Sequence, residues 1–437
     1  MTAVPTPEPD GAPRLASLDI LRGVAILGIL FMNVNDMGQS FNSPDIRHLG
    51  WSVADQVAWW ARDILADGTA RAMLEMLFGA GMVILTERMT LAAGDERVLG
   101  RYYRRNLVLW VFGIMHMFVL LWPGDILHTY AVAAMLAFWF RRWPPRKLIE
   151  LGLVAAAVQF AVVGVFGIYE PLQTRAQVTT LTAKRDAGVV LSQSEEAVLA
   201  RASQFDARQA AAVRQHQMIV AAEDRARSGS SNDWVKAQIG KSVDRLGIDE
   251  LFSIWEAAFT MLLGAALFKL RILQGQRPRA FLAWMTLAAY AFAVPLRVLG
   301  AYEATRFTSD PQFSWATDEF ARLGMTLGHV GLIHLLLGTA LGARLLKPFV
   351  AAGRTALTIY VLQSILLLWV LFPPFGFALY GKLSWMPMML VSAGVDLALL
   401  GLAMLWVRRF QIAPVEWAWR SAVAGQRLPF RRAVLML

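Results

Sequence analysis

The stretch LVLWVFGIMHMFVLLWPGDILHTYAVAAMLAFWF, residues 107–140, determines the fold class of this chain. It contains two apolar runs, 107–121 and 125–140, separated by the turn signal Trp122-Pro-Gly124. Apolar runs without strand alternation, broken by Pro and Gly, favour helices that turn back on each other. The stretch therefore predicts a helical hairpin that crosses a membrane.

The composition of the whole chain agrees with that interpretation. Of 437 residues, 57% are hydrophobic and 17% are charged. Soluble domains average about 45–50% apolar and about 25% charged residues. The composition excludes a soluble globular enzyme, a disordered chain, a collagen-like fibre and an outer-membrane barrel, whose strands alternate polar and apolar residues. We expect an all-α, polytopic helical membrane protein.

Apolar runs separated by charge clusters predict about ten transmembrane helices. An amphipathic stretch at 53–66, which carries Trp59 and Trp60, predicts an interfacial helix. The predicted spans lie near 18–35, 72–90, 107–121, 125–140, 149–168, 252–270, 282–300, 325–345, 355–373 and 387–407.

The distribution of Lys and Arg predicts the orientation. If both termini are cytoplasmic, most of the 42 basic residues lie in cytoplasmic segments, as the positive-inside rule requires. The short external loops then hold only Arg47, Arg62, Arg71, Arg306, Arg322 and Lys382. We therefore expect an N-in, C-in protein of the cytoplasmic (inner) membrane.

The predicted spans divide the chain into five regions. Residues 170–250 are polar and favour an external helical insertion, either one long helix or a hairpin that breaks near Ser228–Asn232. The start reads as a cytoplasmic tail and not as a signal peptide. The regions are a disordered tail (1–15), a first membrane half (16–169), the insertion (170–250), a second membrane half (251–408) and a basic tail (409–437).

Charge and cysteine content exclude several partners. The net charge is +10, which membrane topology explains, and the Trp- and Arg-bearing tail predicts contact with anionic lipid and not with nucleic acid. The chain has no Cys, which excludes disulfides, Cys-ligated zinc, iron–sulfur clusters and a thiol nucleophile. No His/Asp/Glu set has metal-ligand spacing, so we expect no bound metal.

Three residues of the opening stretch are candidates for acid–base chemistry. His116 lies about 9 Å below the turn at the helical rise and His128 about 6 Å below it on the other side, so an antiparallel pair brings both rings to similar depth. Asp125 lies one turn from His128 and could orient that ring. The alternatives are that Asp125 only caps its helix and that His116 is a packing bond between helices.

Five blocks of sequence resemble the YeiB-like membrane proteins, a family of unknown function. The first contains Leu21-Arg-Gly23, and all five follow the family order. The blocks are Arg14–Asn33, Leu77–Gly81, Gly113–Ala131, Gly353–Ser364 and Ala413–Arg420.

That family in turn resembles transmembrane acyltransferases, which include the lysosomal heparan glucosaminide N-acetyltransferase and bacterial glycan acyltransferases. The resemblance implies an acyl group, with acetyl as first candidate, moving from cytosolic acyl-CoA to an external glycan, lipid-linked or small amine or alcohol acceptor. Many of the bacterial enzymes carry a His where this chain has Asn33. His48 resembles in place the His that the heparan enzyme uses, and its alternative is a solvated loop histidine.

The remaining candidates line the predicted route. The CoA phosphates would be held by Arg22 and Arg354, which could equally be membrane anchors. Gln363 could touch the pantetheine chain or bond across helices. The acceptor would enter past Asn33, Asn35 and Asp36, which could also merely cap the first helix.

Two other functions stay open at this point. A proton-coupled transporter or permease of a small solute would also use intramembrane His and Asp. A non-catalytic envelope protein would use the insertion to dock a partner. The acceptor, the acyl chain and any homo-oligomer are not determined by the sequence.

Overall fold

The computed structural model describes residues 16–43, 45–93, 98–308 and 310–430. Within those ranges the chain forms helices and turns and has no β-strand. The expected all-α, polytopic architecture is therefore confirmed. The predicted tail at 1–15 and the end of the predicted basic tail, 431–437, lie outside the described residues.

Seventeen α-helices follow one another along the described chain. Short 3₁₀ or π segments extend three of them, at Phe138–Phe140, Val163–Tyr169 and Leu366–Leu371. The helices are α1 (Ala16–Gly38), α2 (Val53–Leu65), α3 (Thr69–Ala93), α4 (Val98–Phe118), α5 (Leu127–Ala137), α6 (Pro145–Gly152), α7 (Val154–Val162), α8 (Glu170–Asp186), α9 (Gln193–Ser228), α10 (Ser231–Arg245), α11 (Ile248–Lys269), α12 (Arg279–Thr305), α13 (Ser314–Leu337), α14 (Ala340–Arg354), α15 (Ala356–Ile365), α16 (Trp385–Arg409) and α17 (Pro414–Ala424).

Seven helical stretches in the described ranges are long and apolar enough to cross a membrane. The number becomes eight if α14 and α15, which meet at an angle of 79°, form one bent span. The other two predicted spans coincide with α4, which begins with several arginines, and with α5, which is short and ends in a 3₁₀ turn at Phe140. The ten-span count and the N-in, C-in orientation remain predictions.

One predicted span boundary is wrong. The expected span at 325–345 ends at Leu337, and the chain begins the separate helix α14 three residues later. Thr339 caps that new helix by accepting the backbone N–H of Gly342. A polar cap inside an apolar stretch restarts the helix in a new direction, which apolarity alone did not reveal.

Helix α11 packs against α3, α5 and α6. Its approach to α3 is close enough that a Cβ on Gly79 would clash with the carbonyl of Met261, and one on Gly264 would clash with Met76. Small residues at such crossings allow helix backbones to pack closely in membranes. The second large contact joins α1 to α14, and α12 pairs with α13.

The segment 170–250 forms the three helices α8, α9 and α10. Capping boxes start the last two, through Ser192 with Glu195 and Ser230 with Asp233. The break expected near Ser228 is where α9 ends. The helical stretch from α6 to α8 continues from Pro145 to Asp186, so no helix end marks the expected boundary at 169.

Helix α2 coincides with the amphipathic stretch at 53–66. It is started by a capping box of Ser52 and Asp55, and it packs against α12 and α16 while burying Trp59. An Asp55 oxygen also accepts the backbone N–H of Met386 at 2.9 Å, which ties α2 to the start of α16.

Candidate active site

The hairpin of α4 and α5 brings His116, Asp125 and His128 together. The Nδ1 atom of His116 lies 2.7 Å from one oxygen of Asp125, and the Nδ1 atom of His128 lies 2.9 Å from the other. The same carboxylate accepts the backbone N–H of His128 at 3.0 Å. Asp125 therefore caps the start of α5 and orients both rings, so the two interpretations of this residue are compatible.

Gly113 makes this close approach sterically feasible. A Cβ at this position would clash with the backbone of His128 and would lie 2.7 Å from an Asp125 oxygen. Only a glycine lets α4 approach α5 closely enough for the carboxylate to reach both histidines.

The other ring nitrogen of His116 faces a serine from a distant part of the chain. His116 Nε2 lies 2.9 Å from the Oγ atom of Ser364, on α15. Helix α15 is held in place at its first turn by Glu416 of α17, whose carboxylate accepts the backbone N–H groups of Leu357 and Thr358. An N-terminal cap of this kind, supplied from another helix, fixes the position of the serine relative to the ring.

The cluster continues in the opposite direction through His128. Its Nε2 atom lies 3.2 Å from a carboxylate oxygen of Glu250 at the start of α11, and Thr129 donates to the same oxygen at 2.7 Å. We call His116, Asp125, His128, Ser364 and Glu250 the histidine cluster. Its members come from four helices and one turn, and all are buried.

The hydrogen bonds determine what His116 can do. A carboxylate has no proton to give, so Asp125 accepts from Nδ1–H of His116 and leaves the lone pair on Nε2. That lone pair faces the Ser364 hydroxyl at hydrogen-bonding distance. His116 is thus arranged as a base toward a hydroxyl, with its tautomer fixed by the carboxylate.

His48 lies apart from the histidine cluster, against the insertion. Its Nε2 atom is 2.7 Å from a carboxylate oxygen of Asp224 on α9, whose other oxygen accepts the Tyr380 hydroxyl at 2.8 Å. These bonds connect the loop after α1 to α9. The structure does not bring His48 into contact with the other candidate catalytic residues.

The candidate phosphate-binding arginines lie where α1 meets α14. Arg22 contacts Asp19 at 3.1 Å and the carbonyl of Gly353, next to Arg354. The charges of Arg22 and Arg420 also act on Arg105, whose guanidinium stacks 4.2 Å from the Trp419 ring. We call Arg22, Arg105 and Arg420 the basic group.

Gln363 bonds across helices. Its amide donates to the carbonyl of Ile26 at 3.2 Å and to Asp396 at 2.8 Å, and the side chain is buried. Both amide hydrogens are therefore used by α1 and α16. This contact agrees with the bonding alternative and leaves no donor for a pantetheine chain.

The candidate acceptor residues lie near the end of α1. Asn35 bonds Asp36 at 3.3 Å and accepts from Gln39, while Asn33 is half-buried. Arg227 of α9 donates to the backbone carbonyls of Asp36, Met37 and Gln39. An arginine of the insertion thus caps the carbonyl end of α1, and these polar side chains lie beside that cap.

Sequence reasoning missed a second buried polar cluster. Arg71 and Arg322, expected in external loops, lie inside α3 and α13. Arg322 makes contacts of 3.0 Å with Glu75, 2.7 Å with Glu319 and 2.8 Å with Glu256, and Arg71 also pairs with Glu75 and Glu256. We call these five residues the ion-pair network. Carboxylates inside predicted spans were the available signal for it.

Sequence reasoning also missed Ser364. Ser364 is the last residue of the block Gly353–Ser364, and nothing in that block indicates a contact with His116, which lies 248 positions away in the chain. As for metals, the described ranges contain no group of three or more His, Asp or Glu side chains arranged to hold one.

Comparisons with known proteins agree with the family resemblance. The model of a family described as a protein of unknown function (DUF418) matches residues 267–426. The chain is 28% identical to the uncharacterized protein YxaH of Bacillus subtilis over 94% of each chain. It is 25% identical to the uncharacterized protein YeiB of Escherichia coli over 93% of this chain and 96% of that protein.

No solved structure matches the chain. The sequence blocks, the family model and these two full-length relatives all point to the same family. The chain is therefore similar to the YeiB-like membrane proteins over nearly its whole length.

Proposed function

We propose that this protein is a membrane acyltransferase that uses acyl-CoA, with acetyl-CoA as the first candidate donor. The observation that carries the proposal is the position of His116 between Asp125 and a buried hydroxyl, at 2.7 and 2.9 Å. Acyl transfer needs a base that removes a proton from the attacking group, and an oriented histidine is a side chain of that kind. The wider resemblance to transmembrane acyltransferases points to the same reaction.

The basic group supports CoA as the donor. Guanidinium groups bind phosphates through paired N–H donors. Arg105 and His116 are eleven residues apart on α4, which is close to three helical turns, so both project from the same face about 16 Å apart. A CoA whose phosphates rest on the basic group would thus extend its pantetheine arm along α4 toward His116.

The acceptor would be a glycan, a lipid-linked sugar or a small amine or alcohol on the external side of the cytoplasmic membrane. The side chains of Asn33, Asn35 and Asp36 would line its approach, and His48 is the reserve base there. In this scheme Asp125 and His128 act as positioning residues for His116.

A ligand-binding experiment tests the donor. Full-length protein in detergent is heated with acetyl-CoA, with free CoA or with ATP, and its thermal midpoint is measured. A ligand at 100 times its dissociation constant adds about 2.7 kcal/mol to the folded state. We expect stabilisation by both CoA species, loss of it in Arg22→Ala and Arg105→Ala, and retention in Arg146→Ala, which removes an exposed arginine that pairs with Glu150.

A transfer experiment tests the base. Radiolabelled acetyl-CoA is incubated with a panel of amino sugars, alcohols and amines, and His116→Ala is compared with wild type. We expect a loss of roughly 10²–10⁴-fold, the usual contribution of a general base. His329→Ala is the matched control, because His329 is a helix histidine that bonds Tyr290 and the Met325 carbonyl and not a carboxylate. Equal activity in wild type and His116→Ala would contradict the proposal.

A proton-coupled transporter is the second candidate. The observation in its favour is the continuation of the cluster from Asp125 through His128 to Glu250, because chains of buried titratable groups can relay protons. Proteoliposomes with an internal pH dye test it. Solute-dependent proton entry that His128→Ala abolishes, without any stabilisation by CoA, would favour the transporter.

A further inference from the structure

We propose that Ser364 is a nucleophile that carries the acyl group between CoA and the acceptor as a serine ester. This inference rests on the proposed acyltransferase function and goes beyond it, because a base alone needs no covalent intermediate. The chain has no Cys, which excludes a thiol nucleophile, and a serine hydroxyl beside a base is a nucleophile that can attack a thioester.

The hydrogen bonds of Ser364 differ from those of an ordinary buried helix serine. Such a serine usually bonds the carbonyl four residues earlier. Ser392 on α16 does so, at 3.0 Å from the Met388 carbonyl. Ser364 is 3.4 Å from the equivalent carbonyl of Tyr360 but 2.9 Å from His116 Nε2. The shorter contact directs its hydroxyl proton toward the ring.

The three side chains then have the order that an activated serine needs. Asp125 holds His116 Nδ1–H, and His116 Nε2 accepts from Ser364 Oγ. This arrangement of carboxylate, imidazole and hydroxyl makes a serine nucleophilic on unrelated folds. The helix also changes to a π segment two residues after Ser364, at Leu366, and π segments in helices are frequent at functional sites.

The surroundings of the cluster provide rigid support. The Tyr360 hydroxyl accepts from Trp122 Nε1 and from the Ile126 N–H, both at 3.2 Å. Its ring lies 4.7 Å from the His116 ring. Tyr360 therefore connects α15 to the turn that carries Asp125, so the serine and the carboxylate are positioned together on either side of the histidine.

The reaction has two balanced halves. In the first, Ser364 Oγ attacks the thioester carbonyl carbon while His116 Nε2 takes its proton, and the C–S bond then breaks as that proton passes to the CoA sulfur. The products are the serine ester and free CoA. In the second, His116 removes a proton from the acceptor hydroxyl or amine, which attacks the ester carbon. The bond between that carbon and Ser364 Oγ then breaks as the proton passes from His116 to Ser364 Oγ, which leaves the acylated acceptor and the free serine.

The decisive experiment omits the acceptor. Purified full-length protein is mixed with radiolabelled acetyl-CoA, quenched in acid and digested, and the label is located by mass spectrometry. We expect release of CoA and one acetyl group on the peptide that contains Ser364. In Ser364→Ala both should fall to background, whereas Ser392→Ala, which removes an equally buried serine hydroxyl, should label like wild type.

A second variant distinguishes the loss of the nucleophile from misfolding. Ser364→Cys keeps a nucleophile of similar size, and its acetyl adduct should be a thioester that neutral hydroxylamine cleaves. Thermal midpoints with and without CoA show that each variant is folded and binds donor. A folded Ser364→Cys that stays unlabelled, while wild type is labelled at another residue, would overturn the assignment.

The outcomes separate this inference from the function on which it rests. The serine ester is overturned if Ser364→Ala transfers acetyl at the wild-type rate and releases CoA only when both substrates are present. His116 would then act as a base directly on the acceptor. No CoA stabilisation and no transfer by the wild type overturns the acyltransferase function itself. Labelling of Ser364 supports both.

Discussion

The histidine cluster and the ion-pair network are both polar, both buried and both built from several helices, yet they differ in chemistry. The network joins Arg71 and Arg322 to Glu75, Glu256 and Glu319, so each charged side chain in it lies beside at least one side chain of opposite charge. The histidine cluster instead has two imidazoles that share Asp125, with Glu250 beside His128, and on the His116 side it ends on a neutral hydroxyl.

Under the proposed function, that difference separates a structural support from a reaction centre. Arginine stays protonated under all ordinary conditions, so the network holds helices together and cannot exchange protons readily. Imidazole is the side chain that changes its charge near neutral pH. Burial of polar groups in a membrane bundle is therefore not enough to assign function, and the type of group decides.

The largest effect on acetyl transfer is expected from a substitution of Asp125. In Asp125→Asn the amide can no longer accept from both histidines, and His116 loses the partner that fixes its tautomer. We expect a loss of acetyl transfer on the order of 10²–10⁴-fold with donor binding retained. Transfer to the acceptor panel and CoA-dependent thermal shift measure the two properties separately.

The control for that variant lies in the network. Glu75→Gln also neutralises a buried carboxylate, but at a position without histidine contacts. It should lower the thermal midpoint and leave the rate per folded molecule near wild type. Unchanged transfer in Asp125→Asn would show that the histidine cluster is only packing.

Arg322→Met tests the network from its centre. Removing one partner of a buried ion pair costs about 3–5 kcal/mol, because the remaining charges are left unpaired. Arg322 meets three carboxylates, so we expect poor accumulation in the membrane and a much lower thermal midpoint. Fluorescence-detected size exclusion after heating measures both.

A second change should partly repair that defect. In Arg322→Met with Glu319→Gln, the carboxylate paired most closely to Arg322 is also neutralised, and stability should rise above that of the single variant. If Arg322→Met is as stable as wild type but inactive, the network belongs to the reaction and not to the support.

The two clusters also differ in how well they could be predicted. Asp125, His116 and His128 were identifiable because they are close in sequence on either side of one turn. The network joins α3, α11 and α13. The sequence predicts Arg322 in a loop, because the predicted span begins near residue 325 whereas α13 begins at Ser314. Ser364 could not be paired with His116 before the fold was known, since no local pattern links α4 to α15.

The helices themselves followed from elementary signals. Apolar length predicted the spans, and capping residues such as Ser192 with Glu195 account for their starts. Where the signals failed, a local polar contact was responsible, as at Thr339, which begins α14 inside an apparently continuous span. Where helices begin and end depends on local sequence, whereas the site depends on contacts between distant helices.

Gly113→Ala tests whether the histidine cluster needs the close approach of the α4 and α5 backbones. The added methyl group would lie against His128 and Asp125 and push α4 away from α5, at a cost of about 1–3 kcal/mol for an overpacked contact. Transfer should fall with stability, because the distance from His116 to Asp125 increases. Thermal midpoint and transfer rate are the measurements.

Gly100→Ala is the matched control on the same helix. No atom lies within 4 Å of a Cβ built at Gly100, and alanine favours helix over glycine by roughly 1 kcal/mol. It should be neutral or slightly stabilising and fully active. Equal behaviour of the two alanine variants would mean that the close approach at Gly113 is not needed.

The smallest effect is expected where the insertion meets α1, and it should depend on pH. Glu223 accepts from the Phe41 N–H and the Asn42 amide and pairs with Arg227 at 3.2 Å. Burial opposes its ionisation, but Arg227 and these hydrogen bonds outweigh it and hold the pKa of Glu223 below its ordinary value of 4.5.

A pKa that is lower in the folded state adds stability above 4.5, and that stability is lost as the pH falls through the folded value. Docking of α9 should therefore weaken only in acid, by roughly 2–4 °C in thermal midpoint. Glu223→Gln should be less stable than wild type at pH 7, and the gap should close below pH 4.5. Neighbouring groups such as His48 and Asp224 occur in both proteins and cancel in the difference, and Glu196→Gln, which changes an exposed acid on the same helix, should follow wild type throughout. A gap that widens in acid would mean that Glu223 is protonated in the folded protein, so that Arg227 alone anchors the insertion to α1.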